Sequence, residues 1–157
     1  MSAEPGRRAP LHTGGCQCGK IRFAAFAEPR RIGLCHCRMC QKAVGGPFGV
    51  YAIIPIVDFS WTREQPTTWA SSNIAVRDFC EACGTPLAYR HIGGDTVEVL
   101  AGAFDDAARI APTYEVGREG KLGWIATLPQ LPGKTTAENI GGDKLAGVIT
   151  YQHPDRE

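Results

Sequence analysis

The chain has 157 residues, 43% hydrophobic and 21% charged, with a formal net charge of +1. That length suits one domain burying roughly two thirds of its unfolded surface. The near-neutral balance lacks the basic footprint of a nucleic-acid binder, and no apolar run approaches the ~18 residues of a membrane span.

Nineteen glycines and eleven prolines predict many turns and few long helices. Residues 1–12 read as a flexible, polar lead-in. Residues 1–10 carry charge with no apolar stretch after them, so no secretory signal is expected. A cysteine-rich chain without one belongs in a reducing cytoplasm, where thiols stay free for metal. Strand alternation begins at 20–26, with Ile21, Phe23 and Ala25 on one face and Lys20 and Arg22 on the other. Residues 30–37 lead into a cysteine cluster, and 38–44 predict a short helix ended by Gly45, Gly46 and Pro47. Short strands are expected at 48–54, 57–61, 67–70, 74–79, 86–90 and 96–101, with a brief helical turn at 105–109. Trp61, Trp69 and Trp124 sit among apolar positions and are expected in the core. Residues 133–157 are polar and read as a C-terminal extension. The fold class expected is all-β, or mainly β, with short helical turns around metal.

The seven cysteines fall into three tight clusters: Cys16 and Cys18; Cys35, Cys37 and Cys40; Cys80 and Cys83. Such spacings strain a disulfide, which wants Cα atoms about 5–6 Å apart, but let neighbouring thiolates aim at one ion about 2.3 Å away. A structural zinc is closed by four protein ligands, whereas a reactive one keeps three and an open position. The first and third clusters supply two sulfurs each, so Cys16, Cys18, Cys80 and Cys83 are expected to form a closed structural zinc. Cys35, Cys37 and Cys40 are left for a second, open zinc, which gives two Zn²⁺ per chain. The closed site joins the beginning of the domain to its middle, and Gly19 and Gly84 suit the sharp turns of two zinc knuckles.

Three thiolates on Zn²⁺ leave a net −1, a poor centre for generating hydroxide but a good one for receiving a fourth sulfur. A substrate thiol would lose its proton on binding there, so thiol chemistry is expected rather than hydrolysis. His36 lies between two of the ligands. In an extended turn it faces away from them, which favours packing or a hydrogen bond over ligation. Arg30, Arg31, Arg38 and Lys42 surround the cluster, either to bind carboxylates of an anionic substrate or as solvated charges. A structural second zinc, closed by water or a distant side chain, stands as the alternative.

The strings Gly14-Gly15-Cys16-Gln17-Cys18-Gly19, Cys35-His36-Cys37-Arg38-Met39-Cys40-Gln41 and Arg77-Asp78-Phe79-Cys80-Glu81-Ala82-Cys83-Gly84-Thr85-Pro86-Leu87 resemble the glutathione-dependent formaldehyde-activating enzyme family, also called the GFA or CENP-V type. The resemblance spans residues 13–132 and includes Phe59-Ser60-Trp61 and Gly102-Ala103-Phe104-Asp105-Asp106. It implies one zinc-binding domain over that span, an Mss4-like β fold and two zincs divided as above. It also implies a carbon–sulfur lyase reaction, the reversible addition of glutathione to formaldehyde giving S-hydroxymethylglutathione, with Cys35, Cys37 and Cys40 at the catalytic zinc. The partner expected is a small thiol, with neither nucleic acid nor membrane. A non-catalytic zinc module that binds a protein partner or another small thiol is the alternative. Glu115 and Gly117 stand where many members carry a histidine and an aromatic, and Gly123 where a proline is common. These positions are expected to shape the substrate wall.

Overall fold

The computed structural model describes residues 8–156. Residues 1–7 of the expected lead-in lie outside the described residues; 8–11 are irregular, and the first strand takes position 12. A three-stranded antiparallel sheet contains β1 (His12–Gly15), β2 (Arg22–Ala25) and β5 (Phe59–Trp61), in the order β1-β2-β5. A seven-stranded sheet contains β3 (Arg31–Cys35), β4 (Gly49–Pro55), β6 (Thr67–Ala70), β7 (Ala75–Phe79), β8 (Pro86–His91), β9 (Thr96–Leu100) and β10 (Tyr114–Val116). Its order is β10-β3-β4-β9-β8-β7-β6, antiparallel throughout except that β10 runs parallel to β3. The mainly β class is as expected, and the predicted helix is α1 (Arg38–Val44), joining β3 to β4.

One core lies between the sheets. Phe23 and Ala25 of β2 meet Ile54 of β4, Leu87 of β8 and Val97 and Val99 of β9, with Phe104 and Ile110 closing the end. Phe23 stacks on Phe59 and meets Trp61 and Phe104 edge-on, an aromatic group that adds directional packing to simple burial. Alternation places Val97 and Val99 inward and turns Glu98 to the opposite face, which is the face that carries the cleft described below.

Three expectations from the sequence need correction. Arg22, assigned to a polar face, is 2% exposed. Its guanidinium forms a bidentate pair with Asp105, which also accepts a hydrogen bond from Thr13, because the segment after Phe104 folds over that face of β2. Trp69 and Trp124 are 61% and 52% exposed rather than core, since Trp69 lies on the edge strand β6 and Trp124 in a run of 3₁₀ turns. Trp61 alone packs against the core. Beyond Pro132 the chain forms two one-turn helices, α2 (Thr136–Ile140) and α3 (Gly142–Ala146). The first is started by a capping box in which Thr135 and Glu138 satisfy each other's backbone N–H.

A buried ion pair braces the β6–β7–β8 edge. Asp78 is fully enclosed and accepts from Arg90 Nε at 2.7 Å, Arg90 Nη2 at 2.8 Å and Thr68 Oγ1 at 2.7 Å. Replacing Asp78 by alanine is expected to cost about 3 kcal/mol, the low end for a broken buried pair, because Arg90 still reaches solvent. Urea unfolding of Asp78→Ala against the parent checks this; a loss under about 1 kcal/mol would mean that the pair is not structural.

Candidate metal centres

Two hairpin tips build the first centre. The turn between β1 and β2 carries Cys16 and Cys18, and the turn between β7 and β8 carries Cys80 and Cys83. Each turn closes on itself: Gly19 N–H donates to Cys16 O at 3.0 Å and Gly84 N–H to Cys80 O at 2.8 Å. Gly19 and Gly84 have φ of +76° and +77°, as the knuckle reading requires. The Ile21 N–H points at Cys16 Sγ at 3.2 Å, and Gln17 N–H reaches across to Thr85 Oγ1 at 3.0 Å, tying one tip to the other.

The four sulfurs lie within 4.8 Å of one another, with Cys16 and Cys18 at 3.5 Å and Cys18 and Cys80 at 3.8 Å. A tetrahedron of 2.3 Å zinc–sulfur bonds has edges of about 3.8 Å, whereas a disulfide would bring two sulfurs to about 2.05 Å. Burial pushes the Cys80 thiol up to about 12. For Cys83 burial acts the same way, but hydrogen bonds led by the Thr85 hydroxyl outweigh it and bring the thiol down to about 6. Four soft donors at that spacing fit a tetrahedral ion. The extension also reaches this centre: His153 N–H donates to Gln17 O at 2.7 Å, and its ring packs directly on Gly19.

The second centre sits where β3 passes into α1. Cys35 ends β3, Cys37 caps the helix by accepting from Cys40 N–H at 3.5 Å, and Cys40 lies on the helix's buried side. Their three sulfurs also lie within 4.8 Å of one another. Burial pushes the Cys35 thiol up to about 12. At Cys37 burial opposes ionisation too, but the Cys40 N–H and neighbouring donors leave its thiol below the ordinary value. The donor set is three thiols with one side open, which fits an ion that retains a free position.

The surroundings fix these three sulfurs. His36 is 1% exposed; its Nε2 meets Glu115 Oε2 at 3.0 Å and its ring meets Phe48 edge-on, so it stands outside the sulfur cluster. Glu115 is held in turn by Lys121 and Arg118, and hydrogen bonds from Lys121 and then His36 pull its carboxyl down to about 2. Gln41 Nε2 donates to His36 O at 2.7 Å and to Gly120 O at 2.9 Å, clamping the cysteine loop to the turn after β10. Gly117, at φ +67°, lets that turn approach so closely that a Cβ there would fall 2.7 Å from Cys37 N. Glu115 and Gly117 therefore brace the cluster from behind.

In front of the sulfurs opens a cleft of about 250 Å³, lined among others by Cys35, Cys37, Cys40, Tyr51, Arg77 and Glu98. Arg77, on β7, places Nη2 3.6 Å from Cys40 Sγ, donates from Nη1 to the Tyr51 hydroxyl at 3.3 Å and lies over the Tyr89 ring. Burial, then the neighbouring Cys40 sulfur, raises the Tyr51 hydroxyl, so Tyr51 stays protonated. Of the four basic residues near the cluster in sequence, Arg30 pairs with Asp95, Arg38 with Gln41, and Arg31 lies over Tyr114. None of the four lines the cleft. Arg77 is the cation that does. Only the sheet register brings it to Cys40, 37 positions away.

The sequence profile described as glutathione-dependent formaldehyde-activating enzyme matches residues 11–118. An uncharacterized lyase of Schizosaccharomyces pombe is 32% identical over 85 residues, covering 54% of this chain and 61% of that protein. The chain thus spans about six tenths of the length of that curated relative. A crystal structure of a Rhodobacter sphaeroides protein superposes with a TM-score of 0.51 at 20% identity, over 66% of this chain and 99% of the other. That likeness is one of fold.

The four-sulfur centre closes a loop of 62 positions between Cys18 and Cys80. A cross-link of that span is worth about 4 kcal/mol in chain entropy. Cys80→Ser is therefore expected to lose one zinc per chain and to melt about 8–16 °C lower. Metal analysis with thermal unfolding checks it; unchanged zinc content and melting temperature would mean that the site holds no structural ion.

Proposed function

The chain belongs to the glutathione-dependent formaldehyde-activating enzyme family, and from that premise we propose that it is a zinc-dependent carbon–sulfur lyase acting in the cytoplasm. Its reaction in this reading is the reversible joining of glutathione and formaldehyde to S-hydroxymethylglutathione. The observation that carries the proposal is a cluster of three thiols opening on a cleft, beside a closed cluster of four. Cys16, Cys18, Cys80 and Cys83 would hold a structural zinc, and Cys35, Cys37 and Cys40 the reactive one. Bound by these three, zinc would supply an open position that lowers the pKa of a substrate thiol and keeps it nucleophilic.

The chain's own residues do the rest. Arg77 sets a positive charge against Cys40, offsetting the negative charge that three thiolates gather in a half-buried site. Tyr51 accepts from Arg77, which leaves its own hydrogen free to donate towards the cluster. The cleft wall includes Leu34, Met39 and Val116, apolar surface against which the substrate's carbon chain can pack. Substrate sulfur then forms a bond to the carbonyl carbon while the carbon–oxygen π pair moves onto oxygen. That oxygen takes up the proton the thiol released, and Tyr51 and Arg77 provide donors beside the developing charge. Reversal breaks the same carbon–sulfur bond.

A non-catalytic zinc module that binds a protein would have no use for an open coordination side facing a cleft, and so is less well supported. Cys37→Ser is expected to keep the fold and one zinc per chain, lose the second zinc, and abolish glutathione binding by calorimetry. Global unfolding of that variant would make the second site structural and overturn the proposal.

A further inference from the structure

The cleft continues away from the three sulfurs along one row of the seven-stranded sheet. Register places Arg31 opposite Ile53, Ile53 opposite Glu98, Glu98 opposite Tyr89, Tyr89 opposite Arg77, and Arg77 opposite Trp69. Side chains paired in this way share a face, so Glu98 stands between Ile53 and Tyr89 at the middle of the row. Its carboxylate lines the cleft with Tyr89, Arg77 and His91. Among the described residues it makes neither a hydrogen bond nor an ion pair, although it is only partly exposed. Burial raises its carboxyl above the ordinary value, with His91, Arg31 and Arg77 only partly offsetting that effect. Among the described residues, the other acidic side chains without a basic partner, Asp106, Glu119, Glu138, Asp143 and Asp155, are exposed, whereas Glu28, Asp58, Asp78, Asp95, Asp105 and Glu115 each have one.

A carboxylate partly withdrawn from water at a cleft wall, with charges near it but no hydrogen bond of its own, gains from a ligand that brings a cationic donor within reach. We propose that Glu98 is a specificity residue that receives an ammonium group carried by the thiol substrate, and so selects amino-bearing thiols. The proposal rests on the reading that the Cys35, Cys37 and Cys40 site takes the substrate's sulfur. Cys35 pairs with Gly49, and Glu98 with Ile53 four residues along β4 and one strand further over. Strand rise and spacing then put the two Cα atoms roughly 16 Å apart. A two-carbon aminothiol bridges that span only with every bond fully extended, whereas an ammonium several bonds from sulfur, as in a γ-glutamyl thiol, spans it in relaxed conformations. The cleft is smaller than the ~300–1,000 Å³ that encloses a drug-sized ligand, so the remainder of a tripeptide lies over its rim.

The test is calorimetry on the two-zinc protein with glutathione and with its deaminated analogue, which keeps the thiol and both carboxylates. The parent is expected to bind glutathione at least about tenfold more tightly than the analogue, the scale of a charge-assisted hydrogen bond. Glu98→Gln should bind glutathione about as weakly as the parent binds the analogue, with binding of the analogue little changed. Equal binding of the two thiols by the parent would overturn the role of Glu98 while leaving the sulfur site intact, and that comparison needs no folded variant. Failure of the parent to bind either thiol would overturn the underlying site reading, and the proposal with it.

Discussion

The meeting of two hairpin tips through four cysteine sulfurs is the constraint on which the rest of this structure depends. One tip belongs to the small sheet and the other to the large one, so the cluster joins the two layers at the end where each hairpin turns. The Gln17–Thr85 hydrogen bond crosses the same junction, and the core between the sheets begins immediately behind it with Cys16, Ile21, Cys80 and Leu87. Sheets this short would slide over one another if only apolar contact held them, because burial energy has no direction. Sulfurs within 4.8 Å of one another supply that direction.

With the layers fixed, the second cluster can use elements that are rigid for other reasons. Cys35 inherits its place from the β3–β4 and β3–β10 pairings, and Cys40 inherits its place from the single short helix between β3 and β4. The turn after β10 backs them through Gln41, Gly117 and Gly120. Three thiols held from behind in this way keep their front side free. The same geometry accounts for the charge balance: Arg30, Arg31 and Arg38 are spent on other partners, and Arg77 reaches the sulfurs across the sheet. An open, electron-rich site with one fixed cation beside it is suited to holding anionic sulfur.

Local chemistry made part of this legible in the sequence. Cysteine spacing alone divides the seven thiols into four and three, because each cluster is a turn whose members are neighbours along the chain. The α1 limits and β6 were readable for the same reason, as were the positive-φ glycines of the knuckles. What depends on distant pairing was not. The β10 strand is three residues long and exists through parallel pairing with β3, some 80 positions away. Arg77 and Glu98 look like ordinary outward residues of amphipathic strands until the register sets them in one row, with Arg77 at the sulfurs and Glu98 further along the cleft. Arg22 was misread because alternation identifies faces but does not say which face another segment will cover, and Asp105 covers this one. Trp69 and Trp124 were misread for the converse reason: apolar neighbours in sequence do not guarantee a layer on top.

The central claim is that three sulfurs leave a place for a fourth from the substrate. Zinc-edge X-ray absorption on the two-zinc protein, with and without glutathione, tests it most directly by counting sulfurs around the metal. The account predicts an average rising from about 3.5 to about 4 sulfurs per zinc when glutathione is added. A count that stays near 3.5 with glutathione at saturation would contradict it.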